Sequence, residues 1–312
     1  MKAAVLHAHG ATPRVGDFVD PDPGAEQAVL TVLAAGVNHV DVLKASGTFY
    51  TGKPSLPSVV GSDGIGKLED GRRVYFDSTV APFGAIAEQT LVSRDALLDV
   101  ADGADDAVAA ALGNGGLAAW LSLAWRAELS PGETVLVLGA TGTVGAIAVQ
   151  AAKLLGAGRV VAAGRSGPRL DRARDLGADE IVDLTATDDL TAAFRTATGG
   201  GVDIVIDLLW GEPAVAAMGA ASHLARHVQI GQMAGAAVSL AAPVLRSAPL
   251  AVMGYANFHV PIGTRREAYL QITDLSARGE LTVDLERFGL DEATTVWERQ
   301  ISGPGAKLVI VP

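Results

Sequence analysis

The stretch Val135-Leu136-Val137-Leu138-Gly139-Ala140-Thr141-Gly142-Thr143-Val144-Gly145 decides how this chain is read. An unbroken apolar run with β-branched residues predicts a strand covered on both faces. Glycines interrupt it, and an Ala-rich helix from Val144 to Leu155 opens directly after them. Strand, glycine turn and helix in that order bring free backbone N–H groups and the positive end of a helix dipole to one place, which suits a pyrophosphate. A side chain at Gly142 would collide with such a ligand, and one at Gly145 would hold the helix off the strand. Gly142, Thr143, Val144 and Gly145 are therefore the candidate phosphate-binding residues. Ala140 stands where the strict fingerprint has its first glycine. The alternative is an ordinary turn without ligand, and the fitting flanks weigh against it.

Downstream the same rhythm repeats. Strands are expected at Val160–Ala163, Val202–Ile206 and Arg226–Ile230, and a helix at Pro168–Leu176, ended by Gly177. Repeated strand–helix units imply a doubly wound parallel sheet. An NAD site usually carries an acid after the second strand to bond the ribose hydroxyls. Here that strand runs into Gly164-Arg165-Ser166, with no acid. Gly164 leaves space, Arg165 and Ser166 offer charge and hydrogen bonds, and Arg169 and Arg172 follow one turn on. This pattern favours a 2′-phosphate, hence NADPH over NADH. In the competing reading Arg165 stacks on adenine or faces solvent.

Upstream, residues to about Ala110 are β-rich, with a strand at Val29–Ala34, another at Arg73–Phe76, and frequent turn signals. That pattern suggests a barrel-like domain. After Gly254 a helix is expected over Arg265–Ala277 and a final strand over Lys307–Val311. Periodicity leaves open which domain this tail joins.

The 312 residues suffice for two domains. Without cysteine there is no disulfide framework, Cys-liganded zinc or thiolate nucleophile. A net charge of −11 disfavours nucleic acid and membrane as partners. The apolar run at Met1–Leu6 is too short for a signal peptide, and Leu240–Leu245 is too short to span a bilayer. A soluble, cytoplasmic protein is expected.

Several motifs occur in an order that resembles the medium-chain dehydrogenase/reductase superfamily, in its zinc-free, quinone oxidoreductase-like version. They are Ala35-Gly36-Val37-Asn38-His39-Val40-Asp41, Leu56-Pro57-Ser58-Val59-Val60-Gly61-Ser62-Asp63-Gly64, Gly116-Leu117-Ala118-Ala119-Trp120, Leu129-Ser130-Pro131-Gly132-Glu133, the glycine turn, Gly279-Glu280-Leu281-Thr282 and Lys307-Leu308-Val309-Ile310. The resemblance implies an α/β protein of two domains. A GroES-like β-rich catalytic domain would hold residues 1–115 and 256–312, and a doubly wound Rossmann domain residues 116–255.

The departures from the family pattern bear on chemistry. Zinc-dependent relatives carry Cys where this chain has Asn38, and His-Glu where it has Ser62-Asp63. None of the six histidines has metal spacing, and His223 and His227 read as polar loop residues. No metal is expected. Hydride addition to a quinone or an activated C=C then needs only hydrogen-bond donors for the developing charge. By resemblance, Asn38 is the donor beside the nicotinamide, Tyr50 the candidate proton donor or a packing residue, and Asp41 a residue that orients the loop or binds a polar group. Ala118 replaces a frequent Thr. Gly231, Gln232 and Met233 would line the nicotinamide ribose, and Gly254 and Tyr255 would approach the nicotinamide or substrate.

The activity implied is hydride transfer from NADPH to a small electrophile, a quinone or an α,β-unsaturated carbonyl compound. The alternatives are a zinc-independent alcohol or carbonyl dehydrogenase, an enoyl-thioester reductase and, in another class, a non-catalytic NADPH-binding sensor. The apolar edge Leu250–Met253 points to a homodimer.

Overall fold

Where Val, Leu and Ala are covered on both sides, they settle into a parallel sheet. In Thr134–Leu138 the last four residues are wholly buried, and in Arg159–Gly164 the last five are. The computed structural model describes residues 1–50 and 52–312, which divide into two units: Met1–Asn114 with Ile262–Pro312, and Gly115–Pro261. The second unit is built on a six-stranded, all-parallel sheet. Its order is Glu180–Asp183, Arg159–Gly164, Thr134–Leu138, Val202–Asp207, Ala221–Gln229, Ala251–Gly254. This is the Rossmann order, and it reverses direction beside the first strand, where ligands bind such sheets. Phe194 and Ala217, from two covering helices, pack on Leu136, Leu138, Val161 and Val205.

Two expected elements shift. The α-helix that begins at Pro168 ends at Arg172 rather than Leu176. Beyond it the bonding tightens, with Ala173 N–H on Leu170 O at 3.1 Å and Arg174 N–H on Asp171 O at 3.2 Å. The strand expected at Arg226 begins at Ala221, so His223, read as a loop residue, lies inside it, and His227 sits well within it rather than near its start.

In the first unit, Gln27–Val37 is the spine. It pairs antiparallel with Asp63–Lys67, Gln89–Ser93 and Lys307–Val311. The tail therefore belongs to this unit. Leu30, Val32, Phe76, Ile86, Trp297, Leu308 and Ile310 share its core. Helix Ile262–Ala277 brings Tyr269 onto Tyr75, ring centroids 4.4 Å apart. The fold class is α/β, a GroES-like β-rich unit plus a doubly wound Rossmann unit. No single helix among the described residues is long and apolar enough to cross a membrane.

Candidate functional site

In the second unit, the chain leaves Leu138 through Gly139, whose φ of +85° is a left-handed conformation that suits glycine. The N–H groups of Gly139 and Ala140 both donate to Ala163 O, at 2.9 and 3.0 Å, and pin the turn to the next strand. Helix Thr143–Leu154 then starts with Gly142 as its N-cap and no side-chain cap, so its first N–H groups have no capping side chain. The two glycines differ. A Cβ on Gly145 would lie 2.2 Å from Gly139 O, so the fold itself demands glycine there. At Gly142 the backbone is ordinary (φ −91°), and a Cβ would meet only Gly139 O, at 3.6 Å. Gly142 is exposed, with open space beside it, which fits the close approach of a pyrophosphate. Thr143 and Val144 are half-buried in the first helical turn.

At the adenosine end, Arg165, Ser166 and Arg169 are all exposed. Gly164 does not leave the expected space: a Cβ there would come within 2.6 Å of the Thr141 methyl, which fills that room. An acid does stand at the end of the third strand. Asp183 pairs in register with Gly164, and its Oδ1 accepts the Ser166 N–H at 3.2 Å.

At the other end of the turn, a Cβ on Gly231 would sit 2.6 Å from Leu208 O, so packing alone calls for that glycine. Gln232 and Met233 are exposed. Gly254 is exposed, with nothing near its missing Cβ. Tyr255 instead turns inward. It is buried, with its hydroxyl 2.8 Å from Asn257 Oδ1 and 3.3 Å from Leu117 O.

Sequence reading missed a buried pair here. His227 and Asp207 are both fully buried, with Nε2 and Oδ2 2.8 Å apart. Asp207 Oδ1 takes the N–H groups of Leu209 and Trp210, each at 2.8 Å. These bonds hold Trp210 at φ +55°, a strained conformation for a bulky residue.

The first unit gathers Asn38, Asp41, Asp63 and Lys307 into one buried cluster. The Asn38 amide, expected as a donor to substrate, is engaged within the protein. Its Nδ2 donates to Asp63 Oδ1 at 2.6 Å and lies 3.2 Å from both Asp41 Oδ2 and Gly36 O. Its Oδ1 accepts from Lys307 Nζ. Asp41 caps helix His39–Ser46, accepting the Asn38 N–H at 2.8 Å on Oδ2 and the Ser62 hydroxyl on Oδ1. Lys44 closes that chain, donating to Ser62 Oγ at 2.8 Å. Asp63 also takes Asn114 N–H at 3.0 Å and Tyr75 OH at 3.1 Å. Burial pushes the Asp63 carboxyl up to about 6, against the opposing pull of Lys307. Burial lowers Lys307, and Asp63 and Asp41 oppose it.

A charged residue heading the apolar run Leu308-Val309-Ile310-Val311 was the signal that could have found Lys307. Tyr50 lies apart from the core, 73% exposed, its ring 4.4 Å from Phe49.

Residues 143–275 match the family model described as zinc-binding dehydrogenase. That description names zinc, yet among the described residues no group of three or more His, Cys, Asp or Glu is placed to hold a metal ion. The chain is 30% identical over 300 residues to a phenolphthiocerol/phthiocerol polyketide synthase polypeptide of Mycobacterium tuberculosis, which is 93% of this chain and 14% of that protein. It is 29% identical over 233 residues to a trans-enoyl reductase of Aspergillus terreus, 68% of this chain and 63% of that protein. It thus spans a small part of the synthase polypeptide and less than two thirds of the reductase. Among solved structures, the quinone oxidoreductase of Thermus thermophilus, described with its NADPH complex, matches with a TM-score of 0.82 at 29% identity, covering 100% of both chains. These likenesses make the chain similar to the medium-chain dehydrogenase/reductase superfamily. Within that superfamily the likeness is to quinone oxidoreductases.

Proposed function

We propose that this chain is an NADPH-dependent oxidoreductase that delivers hydride to a quinone or to the C=C bond of an α,β-unsaturated carbonyl compound. The observation that carries the reading is Gly142. Neither its backbone nor its neighbours require glycine, whereas a closely approaching pyrophosphate does. The NADPH complex of the Thermus thermophilus relative supports the same reading.

When bound, NADPH supplies the hydride. The chain's own residues hold and orient. The first N–H groups of helix Thr143–Leu154 take the pyrophosphate, and Arg165 and Arg169 draw in the 2′-phosphate. The Asp207–His227 pair fixes the turn at Leu208, Leu209 and Trp210, against which Gly139 packs. Gln232, Met233 and Gly254 keep exposed positions for the nicotinamide end. Asn38 and Asp41 are positioning residues, since their polar atoms are engaged within the protein. Tyr50 is the candidate proton donor, exposed enough to reach a substrate.

An enoyl-thioester acceptor is a second reading within the same chemistry, favoured by the likeness to a trans-enoyl reductase. A homodimer belongs to the proposal as well. Strand Ala251–Gly254 ends the sheet with Val252 42% exposed, and pairing with a second copy would cover it. Light scattering should give twice the chain mass.

The decisive assay follows NADPH absorbance with 1,4-benzoquinone, a simple enone and a crotonyl thioester, without added metal. Oxidation is expected, and the fastest acceptor identifies the substrate class. Binding of NADPH with no turnover on any acceptor would replace the enzyme with a cofactor-binding sensor.

A further inference from the structure

The adenosine end of the glycine turn carries both signs of charge. Arg165 and Arg169 are exposed there. Asp183 lies across from them on the neighbouring strand, which ends at that residue. Gly164 and Asp183 are Cα partners in parallel register, so the carboxylate emerges one strand spacing, about 4.8 Å, from the end of the second strand.

The acid is held in place. Its Oδ1 accepts the Thr185 hydroxyl at 2.7 Å, the Thr185 N–H at 2.9 Å and the Ser166 N–H at 3.2 Å. The Thr185 bonds are the largest cause that keeps its carboxyl below the usual carboxylate range, with Ser166 adding to them. Asp183 is therefore ionised at neutral pH. Two features that would favour a 2′-phosphate are also diverted: the Ser166 N–H goes to the acid, and the Thr141 methyl fills the space beside Gly164.

A carboxylate accepts hydrogen bonds from ribose hydroxyls and repels a phosphate, while a guanidinium does the reverse. We propose that Asp183 is a specificity-determining residue of the dinucleotide site, opposing Arg165, so that NADH is accepted alongside NADPH. This rests on the dinucleotide reading above and adds to it a second cofactor and the residue that admits it.

The test is binding by titration calorimetry, with NADPH, NADH and the fragments 2′,5′-ADP and 5′-AMP as probes. Wild-type protein should bind NADPH and NADH within about tenfold of each other. Asp183→Asn keeps an acceptor oxygen for Ser166 and Thr185 but removes the charge. It should strengthen NADPH and 2′,5′-ADP relative to NADH and 5′-AMP on the order of tenfold. Asp183→Ser also removes the charge and must shift the ratio in the same direction. Arg165→Ala should shift it in the opposite direction.

Dinucleotide binding with a ratio unchanged in both Asp183 variants overturns this proposal and leaves the cofactor reading intact. A wild-type preference for NADPH above a hundredfold overturns it equally. Failure of wild-type protein to bind either dinucleotide overturns both.

Discussion

The glycine turn and the Asn38 cluster both sit where a strand ends, yet they treat their hydrogen bonds in opposite ways. At the turn, the helix that starts after Gly142 has no capping side chain, and the space beside that glycine is open. Around Asn38, each amide atom meets a partner from Asp63, Asp41, Gly36 or Lys307, and the residue is 8% exposed. Open donors at a helix start can accept a ligand with little rearrangement. A saturated buried amide can help a substrate only by giving up a bond, and leaving its partner unpaired costs about 1–3 kcal/mol. A motif match at Asn38 thus marks a position, and the hydrogen bonds decide whether it contacts substrate or holds the site together.

The largest effect that would sharpen this contrast is expected at Lys307. Lys307→Met leaves Asp63 buried without its cation and should cost about 3–5 kcal/mol in urea unfolding. If it costs under about 1 kcal/mol, the cluster is not a closed unit.

The next effect is on pH dependence. Asp63 has a folded value of about 6 against an ordinary 3.8, so the folded chain holds that proton more tightly. Its contribution to stability is fully present below the unfolded value, is lost as pH rises through about 6, and is level above that. The wild-type minus Asp63→Asn stability difference, measured by urea midpoints, should fall across this window.

At the turn, Gly145→Ala puts a Cβ against the Gly139 carbonyl and should lose about 1–3 kcal/mol of stability. Gly142→Ala should fold normally and weaken NADPH binding about tenfold, roughly 1.4 kcal/mol. Equal melting losses in the two variants would mean that both glycines serve packing only. The smallest stability change is expected at exposed Tyr50. Tyr50→Phe should shift unfolding by less than about 0.5 kcal/mol. If Tyr50 donates the proton, the same variant lowers kcat about a hundredfold.

The sequence was most readable where local rules act. Thr134–Leu138 and Lys307–Val311 have the bounds their apolar runs imply, and the helix after the turn begins at Thr143, one residue from its expected start. The turn glycines were legible because strand, turn and helix are contiguous. What stayed hidden depends on register and distant pairing. Asp183 reaches the adenosine end only because its strand lies beside Arg159–Gly164 with Gly164 as its partner. His223 resembled a loop residue because it follows polar Ser222 ahead of the apolar part of its strand, and the buried pairing of His227 with Asp207 joins two separate strands. The commitment of Asn38 depends on Asp63 and Lys307, which a motif does not show.

The closing strand has a consequence for the order in which this protein acquires its structure. Gly115–Pro261 is one continuous stretch of chain, whereas the other unit draws on both arms. Lys307 and Asn38 are 269 residues apart in sequence, and the strand that carries Lys307 pairs directly with the one leading to Asn38. During synthesis the dinucleotide-binding unit can collapse from local contacts while Asp63 and Asn38 still wait for their cation. The barrel-like unit is thus completed late, when the returning strand delivers both the last of its pairing and the positive charge its interior lacks.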